Sequence, residues 1–374
     1  MFHFQKPNEN IRCLITLPYL CKTYKTRSMA LITRGMKIGI LTAGGDCPGI
    51  NAAIRGVGKT AITEYGMKVI GISSGFRGLV EKDYIELEET QLSGMLTLGG
   101  TILGTSRDKP FKNDPVTGVN MSKIIKKNYK EIGLDALVVI GGNGTQKTAA
   151  KLAAEGLNVI GLPKTIDNDV YGTDITFGFD TAVSIATEAI DRLHSTANSH
   201  KRIMVIELMG HHAGWISLYS GVAGGGDVIL IPEIPYDMDI VARYLEKRAK
   251  NKKPYSIVVV AEGIEKPKGV SAAAFVSQSI REKTGLETRE TILGYVQRGG
   301  SPTAMDRILA TRYGAHAVEL IAEGKFGVMV CKEGETITSV PLDQVGGKLK
   351  LVPPDHPVIK KSRKMGICFG DRKV

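Results

Sequence analysis

Seven short, mostly β-branched runs punctuate the chain, and each meets glycine or proline within three residues of its end: "KIGIL" (37–41), "KVIGI" (68–72), "ALVVIG" (136–141), "NVIGL" (158–162), "IMVIEL" (203–208), "VILIP" (228–232) and "SIVVVA" (256–261). Little polar alternation interrupts them, so both faces of each strand must be covered, as in a parallel sheet. Helical spacing fills the gaps, with Ile50, Ala53, Ile54, Val57, Ala61 and Ile62 after the first run and a second pattern from Thr181 to Leu193. Strand and helix in alternation predict an α/β fold. Two units of ordinary domain size, 36–175 and 176–310, are expected to hold one sheet each, with 311–374 packing back on either. Ligands of such sheets bind beyond the carboxyl ends of the strands. The loops after the strands are therefore the places to search.

Charge narrows the class of ligand. The 374 residues carry 49 Lys and Arg against 38 Asp and Glu, a formal net charge of +11, which favours an anionic partner. Aromatics are only 6% and the basic residues are dispersed, so nucleic acid is disfavoured against small phosphorylated ligands. Cys13, Cys21, Cys47, Cys331 and Cys368 are odd in number and form no CxxC pair, a pattern of reducing compartments. No apolar run approaches the ~20 residues of a membrane span, and "CLITLPYL" is too short for a secretory signal. A soluble, cytoplasmic protein without a membrane partner is expected. Residues 1–35 hold six Lys and Arg against Glu9 alone. They read as a non-catalytic extension or an over-long gene start rather than a transit peptide, and Met29 or Met36 could open a more compact protein.

Four loops carry candidate chemistry. In "LTAGGDCPGINAAIRG", Gly44, Gly45 and Gly49 leave room for backbone N–H groups to approach a phosphate, with a helix starting near Pro48 behind them. The loop lacks the GK[ST] ending of a Walker motif and does not match GxGxxG, so a merely tight turn explains it equally well. "GGNGTQKTAA" repeats the pattern with Gly144, Thr145 and Lys147, and "GGTILGTSRDKPF" adds Arg107 and Lys109, of which Lys109 reads as a surface charge. "GLPKTIDNDVYGTDITFGFDTA" then clusters aspartates. Phosphoryl transfer needs a carboxylate beside the attacking hydroxyl and acidic ligands for magnesium, close to cations that hold the donor. Asp167 and Asp169 would face one side if extended, whereas Asp174 and Asp180 suit turn and cap roles.

In order along residues 36 to 330, "GILTAGGDCPGINAAIRG", "GGTILGTSR", "VVIGGNGTQ", "GLPKTIDND", "TFGFDTAVSIATEAIDRLHSTANSHKRIMVIELMGHHAGW", "VVVAEG" and "ETRETILGYVQRGGSPTAMDRILATRYGA" resemble the motifs of the 6-phosphofructokinase family. The resemblance implies two similar three-layer α/β domains with mainly parallel sheets, and transfer of a phosphoryl group from ATP to the 1-hydroxyl of fructose 6-phosphate with Mg2+. It implies that Asp167 is the base, that Thr165 and Arg107 contact the transferring phosphoryl group, and that Gly45, Gly144 and Thr145 line the donor site. Asp169 and, through water, Asn143 would serve the metal. Met209, Gly210, Glu262 and Arg298 would hold the sugar phosphate within one subunit, and Arg202 and Arg289 would reach it from a neighbour, in a homotetramer or a homodimer.

Several positions depart from the family pattern. Asn143 stands where an aspartate is usual, His211 replaces an arginine, and Tyr295 replaces a histidine at the sugar site. Lys164 is typical of pyrophosphate users, whereas Gly144 leaves space for a nucleotide; the pair resembles ATP-using members of the mixed-substrate branch, with pyrophosphate as the alternative donor. A non-catalytic sugar-phosphate or nucleotide-binding relative is the alternative of another class, and sedoheptulose 7-phosphate stays open as a second acceptor. Arg55, Lys59 and Lys253 match an allosteric effector cleft, but Glu89, His194 and Asn251 have lost its other cations, so effector control is expected to be weak.

Overall fold

The computed structural model describes residues 33–113, 118 and 120–372. Most of the extension expected over 1–35, with Met29, Cys13 and Cys21, therefore lies outside the described residues.

The glycine-bounded runs fold as expected. Strands β1 (Lys37–Ala43), β2 (Lys68–Ile72), β3 (Tyr84–Glu86), β4 (Ala136–Gly141), β5 (Val159–Pro163), β10 (Val328–Glu333) and β11 (Thr336–Pro341) form one seven-stranded sheet in the order β11-β10-β5-β4-β1-β2-β3. Its five central strands are parallel, and only the edges β3 and β11 pair antiparallel. The second sheet, β7-β8-β6-β9, is wholly parallel and built from β6 (Ile203–Leu208), β7 (Val228–Leu230), β8 (Ser256–Ala261) and β9 (Thr288–Ile292). The sheets are thus unequal in size. Of the eleven strands, β3, β9, β10 and β11 carry no uniformly apolar run; β9, "TRETI", is largely exposed.

Helices cover the faces: α1 (Ile50–Tyr65), α2 (Phe76–Glu81), α3 (Met121–Ile132) and α4 (Asn143–Ala154) accompany the first sheet. Then come α5 (Phe179–His200), α6 (Trp215–Ala223), α7 (Met238–Lys250), α8 (Ala272–Thr284) and α9 (Ala304–Ala322), with α10 (Leu342–Val345) and α11 (Pro357–Lys364) near the end. The first helix starts at Ile50, two residues beyond Pro48, because Gly49 sits at φ +99° and turns the chain into it. Residue 310 falls inside α9, which packs on α1 so closely that a Cβ on Gly56 would lie 2.6 Å from the Thr311 carbonyl. One cluster of buried side chains runs from Ile38 and Val138 in the first sheet through Val57 and Tyr313 to Ile206 and Val259 in the second.

The last segment touches both sheets. β10 joins β5 in parallel, with Val328 opposite Ile160, while Cys368 bridges to Val228 of β7. Chain order reverses around β1, which has β2 on one side and β4 on the other. The loops after β1 and β4 therefore diverge, opening a crevice at the carboxyl edge of the sheet. No helix of the described residues is long and apolar enough to cross a membrane.

Candidate active site

That crevice is the mouth of a cavity of about 710 Å³ lined by the loops after β1, β4 and β5 and by residues from the second half of the chain. Five lysines and two arginines line it against four aspartates, an excess suited to a polyphosphate. Gly45 lies against Arg298 from the far half: a Cβ there would meet Nη1 at 1.7 Å. Only glycine admits the guanidinium to this place. Lys164, just past β5, is buried and donates to the Gly45 carbonyl; burial lowers its pKa. Gly144 lies in the first turn of α4, where a Cβ would meet nothing within 4 Å, and that turn lines the cavity with Asn143, Gly144 and Thr145. Arg107 lines the same space, exposed and without an ion-pair partner among the described residues. Lys109 also lines the cavity, although its side chain is exposed as a surface charge would be.

The aspartate stretch is a turn rather than an extended strand. Asn168 sits at φ +52°, a left-handed conformation that a short amide side chain tolerates. Its Oδ1 accepts from Thr176 N at 3.0 Å, and the Thr165 carbonyl accepts from Thr176 Oγ1 at 2.7 Å. Both carboxylates nevertheless line the cavity. Burial pushes the Asp167 carboxyl up to about 6; Asp169 adds to the rise, and the Arg298 guanidinium opposes it. Asp167 Oδ1 is buried without a hydrogen-bond partner. Asp169 is 9% exposed and is also raised, mainly by burial.

These two groups fit a magnesium site of limited protein content. Among the described residues no three His, Cys, Asp or Glu side chains converge to hold a metal alone. Mg2+ characteristically takes one or two carboxylates and completes its shell with substrate phosphates and water. An orphaned buried carboxylate oxygen beside a second buried carboxylate supplies that much. Asn143 does not join them freely: its amide donates to the Lys348 carbonyl and its Oδ1 accepts from Gly347 N at 3.1 Å. Asn143 also lines the cavity, and through these bonds it fastens the C-terminal segment to the start of α4.

The expected sugar-site residues divide into two places. Glu262 Oε1 accepts from Gly210 N at 3.2 Å and His211 N at 2.8 Å, so the carboxylate shapes the turn after β6. Met209 N donates to Gln297 Oε1 at 2.8 Å. His211 and Arg298 line the cavity, whereas Met209, Gly210 and Glu262 are not among its lining residues. Tyr295 is 75% exposed, its ring 5.9 Å from the Arg298 guanidinium. Arg202 and Arg289 lie elsewhere. They ion-pair with opposite oxygens of Glu287, at 2.9 and 2.6 Å, at the amino ends of β6 and β9. At ~3.3 Å per residue this is ~20 Å along β6 from the Met209 end.

Sequence reasoning missed Gln297 and Lys350. Gln297 is fully buried under Met209. Lys350 carries an ammonium bonded to Asn168 Oδ1 at 2.9 Å and to the Thr173 and Asp174 carbonyls at 2.9 and 2.8 Å. Burial lowers its pKa to about 8. Its "GGKLKLV" context alternates lysine and leucine as a surface strand would and carries no motif to advertise this.

A carboxylate with a raised pKa facing glycine loops, a helix N-terminus and converging cations, on doubly covered parallel sheets, defines a phosphoryl-transferring enzyme of the α/β class. Residues 37–321 match the family model described as phosphofructokinase, and the chain belongs to that family. It is 63% identical over 336 residues to "ATP-dependent 6-phosphofructokinase 3" of Bacteroides thetaiotaomicron, covering 90% of this chain and 100% of that one. Identity to "ATP-dependent 6-phosphofructokinase" of Spirochaeta thermophila is 56%, covering 89% and 97%. Among solved structures, the phosphofructokinase of Pichia pastoris in the T-state aligns with a TM-score of 0.76 at 35% identity, covering 83% of this chain. The alignment spans only 35% of that longer yeast chain. A pyrophosphate-dependent phosphofructokinase from Marinobacter aquaeolei shares the fold, with a TM-score of 0.77 at 22% identity and coverage of 90% and 93%.

Proposed function

We infer that this chain is an ATP-dependent 6-phosphofructokinase of glycolysis, transferring the terminal phosphoryl group of ATP to the 1-hydroxyl of fructose 6-phosphate. The observation that carries this reading is Asp167, which lines the cation-rich cavity with its carboxyl raised to about 6 and one carboxylate oxygen buried without a hydrogen-bond partner among the described residues. A base poised near 6 is ionised at neutral pH yet more proton-avid than an ordinary aspartate. It takes the hydroxyl proton as the sugar oxygen bonds to the γ-phosphorus and the bond to the ADP oxygen breaks. Arg107, Thr165 and Arg298 face the charge that develops on the phosphoryl oxygens. Asp169, with the donor's own phosphates, would hold Mg2+, which neutralises that charge. The open space at Gly144 favours ATP over pyrophosphate, while the buried Lys164 keeps pyrophosphate as a second reading. Purified protein with fructose 6-phosphate and Mg2+ should form fructose 1,6-bisphosphate with ATP and far less with pyrophosphate. Product formation with pyrophosphate alone would reverse the choice of donor, and binding without turnover would make the chain a non-catalytic relative.

The finer reading is a homotetramer, with a dimer as the minimum, in the cytoplasm. Arg202 and Arg289 face away from their own cavity, and Leu98, Tyr295, Val296, Met305 and Ile308 are apolar yet 50–75% exposed; both features support a neighbouring copy. Cys47, Cys331 and Cys368 are buried free thiols, in keeping with a reducing compartment. Arg202→Ala and Asp167→Asn subunits, each inactive alone, should recover activity when mixed if arginines serve the neighbour's site. Full activity in an isolated monomer would exclude sharing.

A further inference from the structure

The segment after β11 crosses the carboxyl ends of both sheets, and one of its side chains reaches the catalytic turn. We propose that Lys350 is a positioning residue for phosphoryl transfer: its ammonium closes the 168–174 loop and thereby sets where the Asp167 carboxylate stands. The inference rests on the kinase reading above.

Lys350 is not among the cavity-lining residues; its neighbour Leu349 is. It therefore acts through the turn and not on the substrate. All three ammonium hydrogens are committed, to Asn168 Oδ1 and to the Thr173 and Asp174 carbonyls, so the charge joins the two ends of one loop. The backbone adds to the clamp. Lys350 N donates to the Asp169 carbonyl at 2.9 Å, and its own carbonyl accepts from Trp215 Nε1 at 2.8 Å. The Trp215 ring lies 5.4 Å from the ammonium, covering it from the second half of the molecule.

The turn needs such a clamp because Asn168 is a non-glycine residue in the left-handed region, a conformation that persists only when its surroundings fix it. Two bonds hold its side chain, one from Thr176 N and one from Lys350 Nζ. Without the ammonium, one bond and two carbonyl partners are lost together. Asp167, held between Asn168 and Thr165, then has room to drift, and a misplacement of ~1 Å costs on the order of 10²-fold in rate. Most cavity residues that would meet fructose 6-phosphate and ATP lie outside this turn, and the backbone bond from Lys350 N to the Asp169 carbonyl survives the substitution, so binding is largely spared.

The test is steady-state kinetics of the full chain with Lys350→Met, which keeps the stem and deletes the charge. Asn168→Gly serves as a second variant, deleting the acceptor while tolerating the positive φ. Both should lose kcat by ~10- to 100-fold, with both KM values within about threefold of the parent. A Lys350→Ala protein should regain kcat, saturably, with propylammonium but not with propanol. If Lys350→Met fails to fold, Asn168→Gly decides. A kcat within twofold of the parent in the folded variants, a KM rise that accounts for the loss, or equal rescue by propanol would overturn the inference. Parent protein inert with ATP and pyrophosphate alike would instead sink the kinase reading.

Discussion

Gly45→Ala is the substitution whose consequence can be worked most directly from the structure. The backbone at Gly45 is not left-handed, so alanine is acceptable to the main chain. The new methyl, however, would sit 1.7 Å from Arg298 Nη1, where ordinary contact is 3.4 Å or more. The guanidinium must therefore retreat by about 1.7 Å at its tip. A catalytic group displaced by more than ~1 Å loses on the order of 10²-fold in rate, and deleting Arg298 outright should cost ~10²- to 10³-fold, the range for a lost charge-stabilising donor. In Arg298→Ala nothing remains to be displaced, and adding Gly45→Ala should cost less than ~3-fold more. The four proteins thus form a cycle with a coupling of at least about 2 kcal/mol. The assay is kcat for fructose 1,6-bisphosphate formation under saturating ATP, with melting temperatures as a control for folding. Because Arg298 opposes the raised pKa of Asp167, its removal should also move the acidic limb of the pH–rate profile upward. Additive losses, or an unmoved limb, would show that Gly45 matters for the donor alone and that Arg298 acts elsewhere.

Asp167→Asn should lower turnover by at least ~10²-fold with fructose 6-phosphate binding kept, and kcat/KM of the parent should fall tenfold per unit as pH drops below about 6, where the base of the free enzyme takes up its proton. An acidic limb near 4 in that profile would argue against Asp167 as the titrating group. Gly144→Asp should raise KM for ATP and shift preference towards pyrophosphate, since it fills an open position in the first turn of α4; an unchanged donor ratio in competition assays would contradict this. Effector control should be slight: Lys59 is paired with Glu89 at 2.9 Å, and both His194 ring nitrogens are engaged, with Tyr255 Oη at 3.2 Å and the Gly224 carbonyl at 2.6 Å. Saturation by fructose 6-phosphate should be near-hyperbolic, and sigmoidality relieved by millimolar ADP would contradict the expectation.

How far residues advertise their roles depends on the range of the interaction that creates them. The seven apolar runs and the loops after β1, β4 and β5 are local patterns, and they place Gly45, Gly144, Lys164 and Asp167 on one cavity. By contrast β9 is an exposed edge of four polar residues and one isoleucine, so no buried-strand signal marks it. Asn143 owes its task to Gly347 and Lys348, some 205 positions away, and Lys350 to a loop up to 182 positions earlier. No window of sequence contains both partners. Family likeness placed Asn143 near the metal, through water, but it could not show that the same carboxamide also bonds the backbone of the C-terminal segment.

The pairing of β10 with β5 has a bearing on how the molecule is born. β5 is buried along its whole length, yet the strand that covers its outer side, β10, begins only at Val328. A nascent polypeptide can assemble β1, β2, β4 and β5 early, since domains tend to fold from the amino end during synthesis. It must then carry β5 as an open, apolar edge through the 164 residues that separate Pro163 from Val328, an exposure that invites pairing with other chains. Only when β10 and β11 leave the ribosome is that edge closed. Chains cut short before residue 328 should accordingly be recovered as aggregates captured by chaperones.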